Sequence, residues 1–451
     1  MPTLRPILML AALVIPMAVL ASEKVEENVP LYCGLFLFLQ AGLFGAFTAL
    51  NFFHWFLFWE LSLIPAFFLI KLWGGSQRSE AALQFFVYTM VGSIALLLAF
   101  LGLFLATGTF DFTKLADLAR AKTLGPLVQS KFAWLGWGAG KAYLVLFLGA
   151  LLGFAVKVPL WPFHTWLPDA HTEAPTIGSV LLAGIMLKMG TYGFVRIALP
   201  LLPEGAKAYA PWIGLLSAIA IVYAALACLA QKDLKRLIAF SSVGHMGFVM
   251  LGISTLTAIG INAAIFGMVA HGVITGMLFF CVGSIYDRYH TREIAEIGGG
   301  MMQKMPFLAG TFAFVSIASL GLPGLAGFWG EFPAILSAYQ PAPGLPEETF
   351  RTFMVIAALG TVLAAGYLLW LYQRTAFGQV SAEFGGGDHG HDAHGHGESH
   401  GDDHGHSDIH DVTEHEWWAW TPLLIAIVVF GVYPQLMFKV LDPAVTHLFG
   451  K

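Results

Sequence analysis

The sequence predicts an all-α polytopic membrane protein. Of its 451 residues, 57% are hydrophobic and only 11% are charged, whereas soluble domains carry about 25% charged residues. Apolar runs of about 20 residues, the length that crosses a bilayer, recur along almost the entire chain. Two of these runs are interrupted by proline or glycine beside a single charged residue. Composition, run length and the two interruptions therefore predict a bundle of membrane-spanning helices, two of which are broken.

The apolar runs predict about 12 membrane spans. One run is too long for a single crossing, and Gly321-Leu322-Pro323-Gly324 in its middle predicts a broken helix there. Residues 107–141 mix charged and apolar side chains, which predicts a surface loop with one short amphipathic helix. The predicted spans lie near residues 5–22, 31–49, 51–71, 82–106, 142–160, 176–200, 209–230, 236–256, 258–285, 307–340, 351–373 and 418–440.

The order of these runs predicts five segments. Lysine and arginine in the short loops of one side place the His-rich loop in the cytoplasm and both termini outside. The first run also fits a signal peptide with a cleavage site at Val19-Leu20-Ala21, the alternative being an ordinary first span. The segments are an N-terminal helix and loop (1–30), a first half with its break near 157–162 (31–200), a second half with its break near 321–331 (201–375), a His-rich loop (376–417) and a C-terminal transmembrane helix (418–451).

Two charged residues stand at membrane depth in the predicted first half. Lys157 ends an apolar run, and the two following prolines, Pro159 and Pro162, cannot continue an ordinary helix. A lysine at the centre of a membrane helix costs about 2.5–3.5 kcal/mol on insertion scales. Glu60 stands mid-span between FFHWFLFW and LSLIPAFFLI, so its carboxylate needs a partner or a proton. Lys157 is the candidate partner, and a purely structural salt bridge is the alternative.

Four more titratable residues lie within later spans. Lys188 stands among glycines that leave room for close helix contact or water, and a desolvated lysine can exchange protons near neutral pH. Glu331 follows the second break as Lys157 adjoins the first, which predicts an inverted repeat with one site in each half. His245 and His271 lie in adjacent spans between them. We interpret both as proton carriers, since histidine titrates near neutral pH, although a lone buried histidine is more often a satisfied hydrogen-bonding group.

Other polar residues fit structural roles. His164 and His171 flank the first break and are expected to cap and fix it, while Asp169 and Glu173 are expected to be structural or to lie at a channel mouth. The segment His389–His415 carries nine histidines at irregular spacings, which is typical of a solvated loop with weak metal affinity rather than of a defined metal site. The weak metal-ligand candidates are His389, His391, His394 and His396.

Several kinds of site are not predicted. The three cysteines, Cys33, Cys228 and Cys281, lie in apolar segments without CxxC spacing, so this chain alone is not expected to hold an iron–sulfur or zinc site. No basic patch with interleaved aromatic residues indicates binding to nucleic acid. The expected surroundings are instead the lipid bilayer and other membrane chains.

Five motifs together resemble a known family. They are FWELSLIP (58–65), KVPLWPFHTWLPDAHTEAPT (157–176), MLKMGTYGFVRI (186–197), DLKRLIAFSSVGHMGFV (233–249) and LPGLAGFWGEF (322–332). From residue 20 to 440 the chain resembles the M-type antiporter-like membrane subunits of proton-pumping NADH:quinone oxidoreductase, respiratory complex I. The sequence HTEAPT followed by GSVLLAGIMLKMGTYGF, and a glutamate rather than a lysine at the second break, are M-like.

The resemblance implies a role for each buried charge. Glu60 resembles the glutamate that pairs with the lysine of the first broken helix, Lys157, and Lys188 resembles the central relay lysine. The other three, His245, His271 and Glu331, resemble the onward histidines and the terminal glutamate. The resemblance also implies no cofactor in this chain, with NADH, FMN, iron–sulfur clusters and quinone held by other subunits. The implied partners are the other membrane subunits, including sister antiporter-like subunits, in a bacterial inner membrane.

The chain departs from the family pattern in three places. Counterparts of the first two family helices are not found, so residues 5–22 correspond to the third, which argues against a signal peptide. Gln84 stands where the family commonly has lysine, and the His-rich insertion is not a family feature. Two alternatives share the fold: a subunit of a multi-chain Mrp-type Na⁺/H⁺ antiporter and a membrane subunit of an energy-converting hydrogenase.

Overall fold

The computed structural model describes residues 5–138, 140–380 and 409–448. Across these ranges the chain is a bundle of α-helices, and the only β-type pairing is a few isolated backbone bridges. Nine of the described helices are long and apolar enough to span a membrane. The predicted all-α, polytopic membrane class is therefore confirmed.

The helices up to residue 201 occupy the residue ranges of the predicted N-terminal segment and first half. Two π-helical segments, Leu182–Met186 and Phe194–Ala198, lie within the last of them. The helices are α1 (Arg5–Leu20), α2 (Val29–Thr48), α3 (Phe52–Trp73), α4 (Arg78–Thr107), α5 (Phe112–Arg120), α6 (Leu124–Lys131), α7 (Lys141–Lys157), α8 (Trp166–Glu173) and α9 (Thr176–Leu201), with a 3-10 turn at Ala133–Leu135.

The helices after residue 201 are also mostly apolar, and some of them begin with a capping side chain. Asp233 and Thr257 begin two of them, each side chain accepting a hydrogen bond from a backbone N–H of the first turn. The helices are α10 (Pro203–Leu229), α11 (Leu234–Ser254), α12 (Ala258–Tyr289), α13 (Ile294–Ile297), α14 (Met301–Lys304), α15 (Pro306–Ser319), α16 (Ala326–Ser337), α17 (Glu347–Ala376), α18 (Glu414–Val432) and α19 (Gln435–Leu448).

Each predicted span has a helical counterpart, with two corrections in detail. The three spans not among the nine long helices correspond to α1, α7 and the pair α15–α16. The expected single C-terminal helix is instead two helices, because the run ends at Val432 and Pro434 precedes α19. The 107–141 segment contains two short helices, α5 and α6, rather than the one expected.

Both predicted helix breaks are present. α7 ends at Lys157, and the chain resumes helical structure only at Trp166, whose indole Nε1 donates to the Val156 carbonyl oxygen at 3.0 Å. α15 ends at Ser319, and α16 begins after a turn in which Gly321 and Gly324 have φ of +72° and +94°. Only glycine adopts such φ values readily, so these glycines fix the second break.

The helix ends lie on two opposite faces. Face A contains residues 74–77, 173–176, 230–233 and 290–293, where Gly75 N donates to Glu173 O at 2.8 Å and Leu234 N to Arg292 O at 2.9 Å. Face B contains residues 49–51, 108–111, 255–257 and 338–346, joined by bonds such as Ala342 N to Thr255 O at 2.9 Å. The chain on either side of residues 381–408 lies at face A, because Val380 pairs with Gly298 and the His410 carbonyl accepts from Arg288.

The helices are sorted into central and peripheral ones. The most apolar stretches of α12, α9 and α11 are 100%, 94% and 89% buried inside the bundle, whereas those of α2, α17 and α18 are 33% buried. Peripheral helices therefore present apolar side chains to the bilayer, and the central three form the protein interior. Any titratable side chain on the central helices is shielded from lipid and has to find partners within the bundle.

Glycine contacts hold the second broken helix against the centre. A Cβ added to Gly330 on α16 would lie 2.5 Å from Gly267 Cα on α12. We predict that Gly330→Ala destabilises the chain by about 1–3 kcal/mol, because the helices have to separate. The measurement is the temperature at which the solubilised assembly dissociates. Gly366→Ala is the control, because a Cβ there meets no atom within 4 Å. Equal stability of the two variants would contradict the packing described.

Candidate functional site

Lys188 lies at the centre of the bundle, on α9. Its side chain is 0% exposed, and its ammonium nitrogen contacts the Ala183 carbonyl oxygen and His271 Nδ1, the latter at 2.6 Å. Ala183 belongs to the π-helical segment Leu182–Met186. A π-segment changes the backbone hydrogen-bond pattern, and such segments are frequent at functional sites. Here the lysine side chain bonds to a carbonyl of its own helix.

His271 links α9 to the second half of the chain. Its Nδ1 faces Lys188, while its Nε2 is buried and has no hydrogen-bond partner among the described residues. The ring lies 5.6 Å, centroid to centroid, from the ring of His245 on α11. His271 therefore lies next to a second histidine, and its Nε2 is available for a further hydrogen bond.

His245 and Glu331 form a directly bonded pair. His245 Nδ1 lies 2.6 Å from Glu331 Oε1, and its Nε2 lies 3.0 Å from the hydroxyl of Ser319, the last residue of α15. The side chains of His245 and Glu331 are 9% and 13% exposed. The imidazole and the carboxylate can share one proton across this short contact. The pair lies directly beside the second helix break.

A small cavity is lined by both histidines. Its volume, measured as the space open to the centre of a water molecule, is about 20 Å³, which is enough for a single water molecule. The polar side chains on its wall are those of His245, His271, Thr275, Ser319 and Glu331. The hydroxyl of Thr275 is buried without a partner in the described part of the chain. A water in this cavity has His271 Nε2 and the hydroxyls of Thr275 and Ser319 as polar neighbours, and the Ser319 hydroxyl leads on to His245 Nε2.

The other two predicted residues, Lys157 and Glu60, lie near the first break and are not in direct contact with each other. Lys157 is 3% exposed, and its nitrogen lies 5.2 Å from the ring centre of Trp59 and 5.9 Å from that of Phe85. Glu60 interacts electrostatically with Lys157, but the salt bridges of the described residues do not include this pair. Cation–π contacts therefore stabilise the lysine where direct pairing with Glu60 was expected.

Of the four polar residues around the first break, only His171 differs from the expected arrangement; His164 interacts with the backbone of Pro162 within the break. The ring of His164 packs edge-on against Tyr223, with centroids 4.9 Å apart. The ring of His171 makes no capping bond: it stacks on Phe279, and both of its nitrogens lack partners among the described residues. Asp169 pairs with Arg236 at 3.2 Å. Glu173 accepts from the backbone N–H of Gln77 at 2.8 Å and lines a cavity at face A.

The structure thus brings four of the six predicted residues into one row: Lys188, His271, His245 and Glu331. Sequence reasoning missed Ser319 and the π-segment, because a serine at a helix end and an apolar run carry no distinctive signal. No cluster of potential metal ligands occurs in residues 5–138, 140–380 and 409–448. The candidates His389, His391, His394 and His396 lie outside those residues.

The sequence matches one family over most of this core. The model described as "NADH:quinone oxidoreductase/Mrp antiporter, TM" matches residues 49–345. "NADH-quinone oxidoreductase subunit M" of Rhodobacter capsulatus is 41% identical over 443 residues, which cover 98% of this chain and 79% of that protein. The chain belongs to this family. The match includes both broken helices and all six predicted site residues.

Solved structures agree with the family assignment. The chain resembles one in "Respiratory complex I from Thermus thermophilus with bound NADH", with a TM-score of 0.77 and 30% identity over 99% of this chain and 82% of that one. It also resembles one in "Structure of Mrp complex from Dietzia sp. DQ12-45-1b", with a TM-score of 0.80 but 18% identity over 99% and 84%. The second likeness shows the fold alone.

The second break offers a direct test of the His245–Glu331 pair. A Cβ added to Gly321 would lie 3.0 Å from Glu331 Oε2, whereas one added to Gly324 meets nothing within 4 Å. Both glycines have positive φ, so both alanine variants carry similar backbone strain, about 1–2 kcal/mol. We predict that Gly321→Ala lowers proton translocation more than Gly324→Ala, because only the first displaces the carboxylate. Equal losses in vesicle acidification would contradict this pairing.

Proposed function

We propose that this chain is the M-type, proton-translocating membrane subunit of an NADH:quinone oxidoreductase, and that protons move through its row of buried titratable residues. The observation that carries the proposal is the pair of 2.6 Å contacts, Lys188–His271 and His245–Glu331, in the interior of a bundle whose relatives include subunit M. Such groups at membrane depth are costly, and they are retained mainly for charge or proton movement.

The chemistry requires only proton transfer. A proton on the Lys188 nitrogen passes to His271 Nδ1, and the imidazole releases a proton from Nε2 into the cavity. A water there passes a proton to the Ser319 hydroxyl, which passes its own proton to His245 Nε2, and His245 then gives the proton on Nδ1 to the carboxylate of Glu331. Each step breaks one N–H or O–H bond and forms another, so no electron or cofactor takes part in this chain. Lys157 and Glu60 modulate the row electrostatically from the first break.

Electron transfer belongs to other chains in this proposal. NADH, FMN, iron–sulfur clusters and quinone are held by other subunits, and sister antiporter-like subunits are the expected neighbours in the membrane. The chain is a multi-pass membrane protein. The basic residues in the short loops of face A support a cytoplasmic position for that face, and the bacterial relatives support the inner membrane as the location.

A Na⁺/H⁺ antiporter subunit is the second candidate, supported by the matching family model, whose description also names Mrp antiporters, and by the shared fold of the Mrp complex. The glutamate at position 331, bonded to His245, and the 41% identity to a subunit M favour the first candidate. The two differ in what drives transport: vesicles should acidify on adding NADH in the first case, and on imposing a sodium gradient in the second.

Neutralising the charges at the two breaks tests the proposal. We predict that Lys157→Ala and Glu331→Gln each lower proton pumping by on the order of tenfold or more, because each removes a group on which proton movement depends. The measurement is NADH-dependent quinone reduction and lumen acidification, recorded together on inside-out vesicles. A native gel confirms assembly.

Surface residues supply the matched controls. Lys71→Ala and Glu80→Gln make the same chemical changes at exposed positions at face A and should leave both activities unchanged. Loss of both activities in the buried variants, with the complex intact, supports an obligatorily coupled proton path. A full proton-to-electron stoichiometry in Lys157→Ala would show that this lysine is structural.

A further inference from the structure

Two side chains of opposite charge type near the first break are not in direct contact. The ammonium of the buried Lys157 lies over the rings of Trp59 and Phe85, 5.2 and 5.9 Å from their centres. The carboxyl of Glu60 interacts electrostatically with it, yet Glu60 Oε1 is buried without a hydrogen-bond partner in the part of the chain that the structure describes. Both members of an ion pair are thus present, and the ammonium contacts aromatic rings instead.

Trp59 and Glu60 are consecutive residues of α3, so their side chains leave the helix about 100° apart. The ammonium of Lys157 therefore has two neighbouring side chains of one helix as partners to choose between. A carboxylate attracts the ammonium by its charge and neutralises it. An indole attracts it through the negative face of the ring and leaves its net charge unchanged. Such a cation–π contact is strongest where water is excluded, and Trp59 is buried.

A hydrogen bond from α4 fixes the indole of Trp59. Its Nε1 donates to Ser93 Oγ at 3.0 Å, and both side chains are buried. An indole N–H is only a donor, so the serine oxygen accepts, and the ring cannot turn without losing this bond. The ring of Phe154 meets the indole edge-on, with centroids 5.9 Å apart. The face of the indole is therefore held in place for Lys157.

The neighbouring Trp55 shows how a tryptophan that only packs differs from Trp59. Its ring is also buried and lies 4.7 Å from that of Trp59, centroid to centroid. Its Nε1 has no hydrogen-bond partner among the described residues, and their cation–π contacts do not include it. Packing in this region therefore requires neither the hydrogen bond nor the cation that Trp59 has.

We propose that Trp59 is a positioning residue for proton transport: its indole holds the ammonium of Lys157 apart from Glu60, so that the charge of the lysine acts on the central row without being neutralised. This inference rests on the proposed function and gives Trp59 a role in it, with Ser93 as its support. A direct salt bridge would cancel most of the field of the lysine at a distance, because the two opposite charges would act there together. The indole carries no net charge, so it holds the ammonium without cancelling that field.

Changing the charge on the ring face tests this role. Fluorine atoms on an indole draw electron density from its face and weaken its attraction for a cation, while the shape of the ring hardly changes. We predict that fluorinated tryptophans at position 59, in the intact complex in inside-out vesicles, lower lumen acidification per NADH oxidised. The loss should grow with each fluorine and reach on the order of threefold or more. The matched control is the same series at Trp55, which should leave this ratio unchanged.

Two ordinary substitutions extend the test. Trp59→Phe keeps an aromatic face but loses the bond to Ser93, whereas Trp59→Leu removes the aromatic face altogether. The leucine variant should therefore pump more slowly than the phenylalanine variant. If the leucine variant does not assemble, the fluorinated series still decides, because it keeps the shape of the ring.

The outcomes separate this role from the proposed function. A ratio that does not change with fluorination at position 59, or that falls equally with fluorination at Trp55, would overturn the role of Trp59. If Glu331→Gln loses pumping while the series at position 59 retains it, the proposed function stands and the role of Trp59 fails. If Lys157→Ala and Glu331→Gln both pump normally, the proposed function itself fails.

Discussion

The structure depends on how a lysine is buried at the centre of a membrane protein without a negative partner. Lys188 is fully buried, and its two contacts, the Ala183 carbonyl and His271 Nδ1, are acceptors that carry no charge. A fixed charge in such a place is expensive. The free-energy cost of burial falls when the proton is shared with or passed to the imidazole, because the pair then needs no permanent counter-ion. The central row of histidines follows from that constraint.

The backbone provides the space that this constraint demands. A π-segment turns a carbonyl of α9 towards Lys188, and the second break places Ser319 and Glu331 on either side of His245. Gly267 and Gly330 let α12 and α16 approach closely, so the row is shielded from lipid. Irregular backbone at membrane depth is tolerated where it is enclosed by protein or lines a cavity. The π-segment Leu182–Met186 meets that condition, because all five of its residues are buried. The turn of the second break does not, since Leu322, Pro323 and Gly324 are exposed at the surface of the chain.

The sequence predicted where along the membrane normal each buried charged residue or histidine lies, but it did not predict the side chains that each one contacts. Apolar runs and Pro/Gly interruptions report position along the membrane normal, so the spans, the two breaks and the buried charges could all be foreseen. Contacts around the helix axis depend on packing, which a single sequence does not reveal. Hence Glu60 was expected to pair directly with Lys157, and His171 to cap a helix. The anchoring of α18 by Arg288 and Glu416, 2.8 Å apart, also joins residues far apart in the chain and had no local signal.

We propose that Lys188 and His271 act as one step of a single proton path. The most direct test compares Lys188→Arg, His271→Gln and the double variant in vesicles carrying the intact complex, with lumen acidification measured per NADH oxidised. Residues that act as a unit are strongly non-additive. We expect the double variant to pump no more slowly than the slower single variant. If the two fractional losses multiply in the double variant, the residues act independently and the path described here is contradicted.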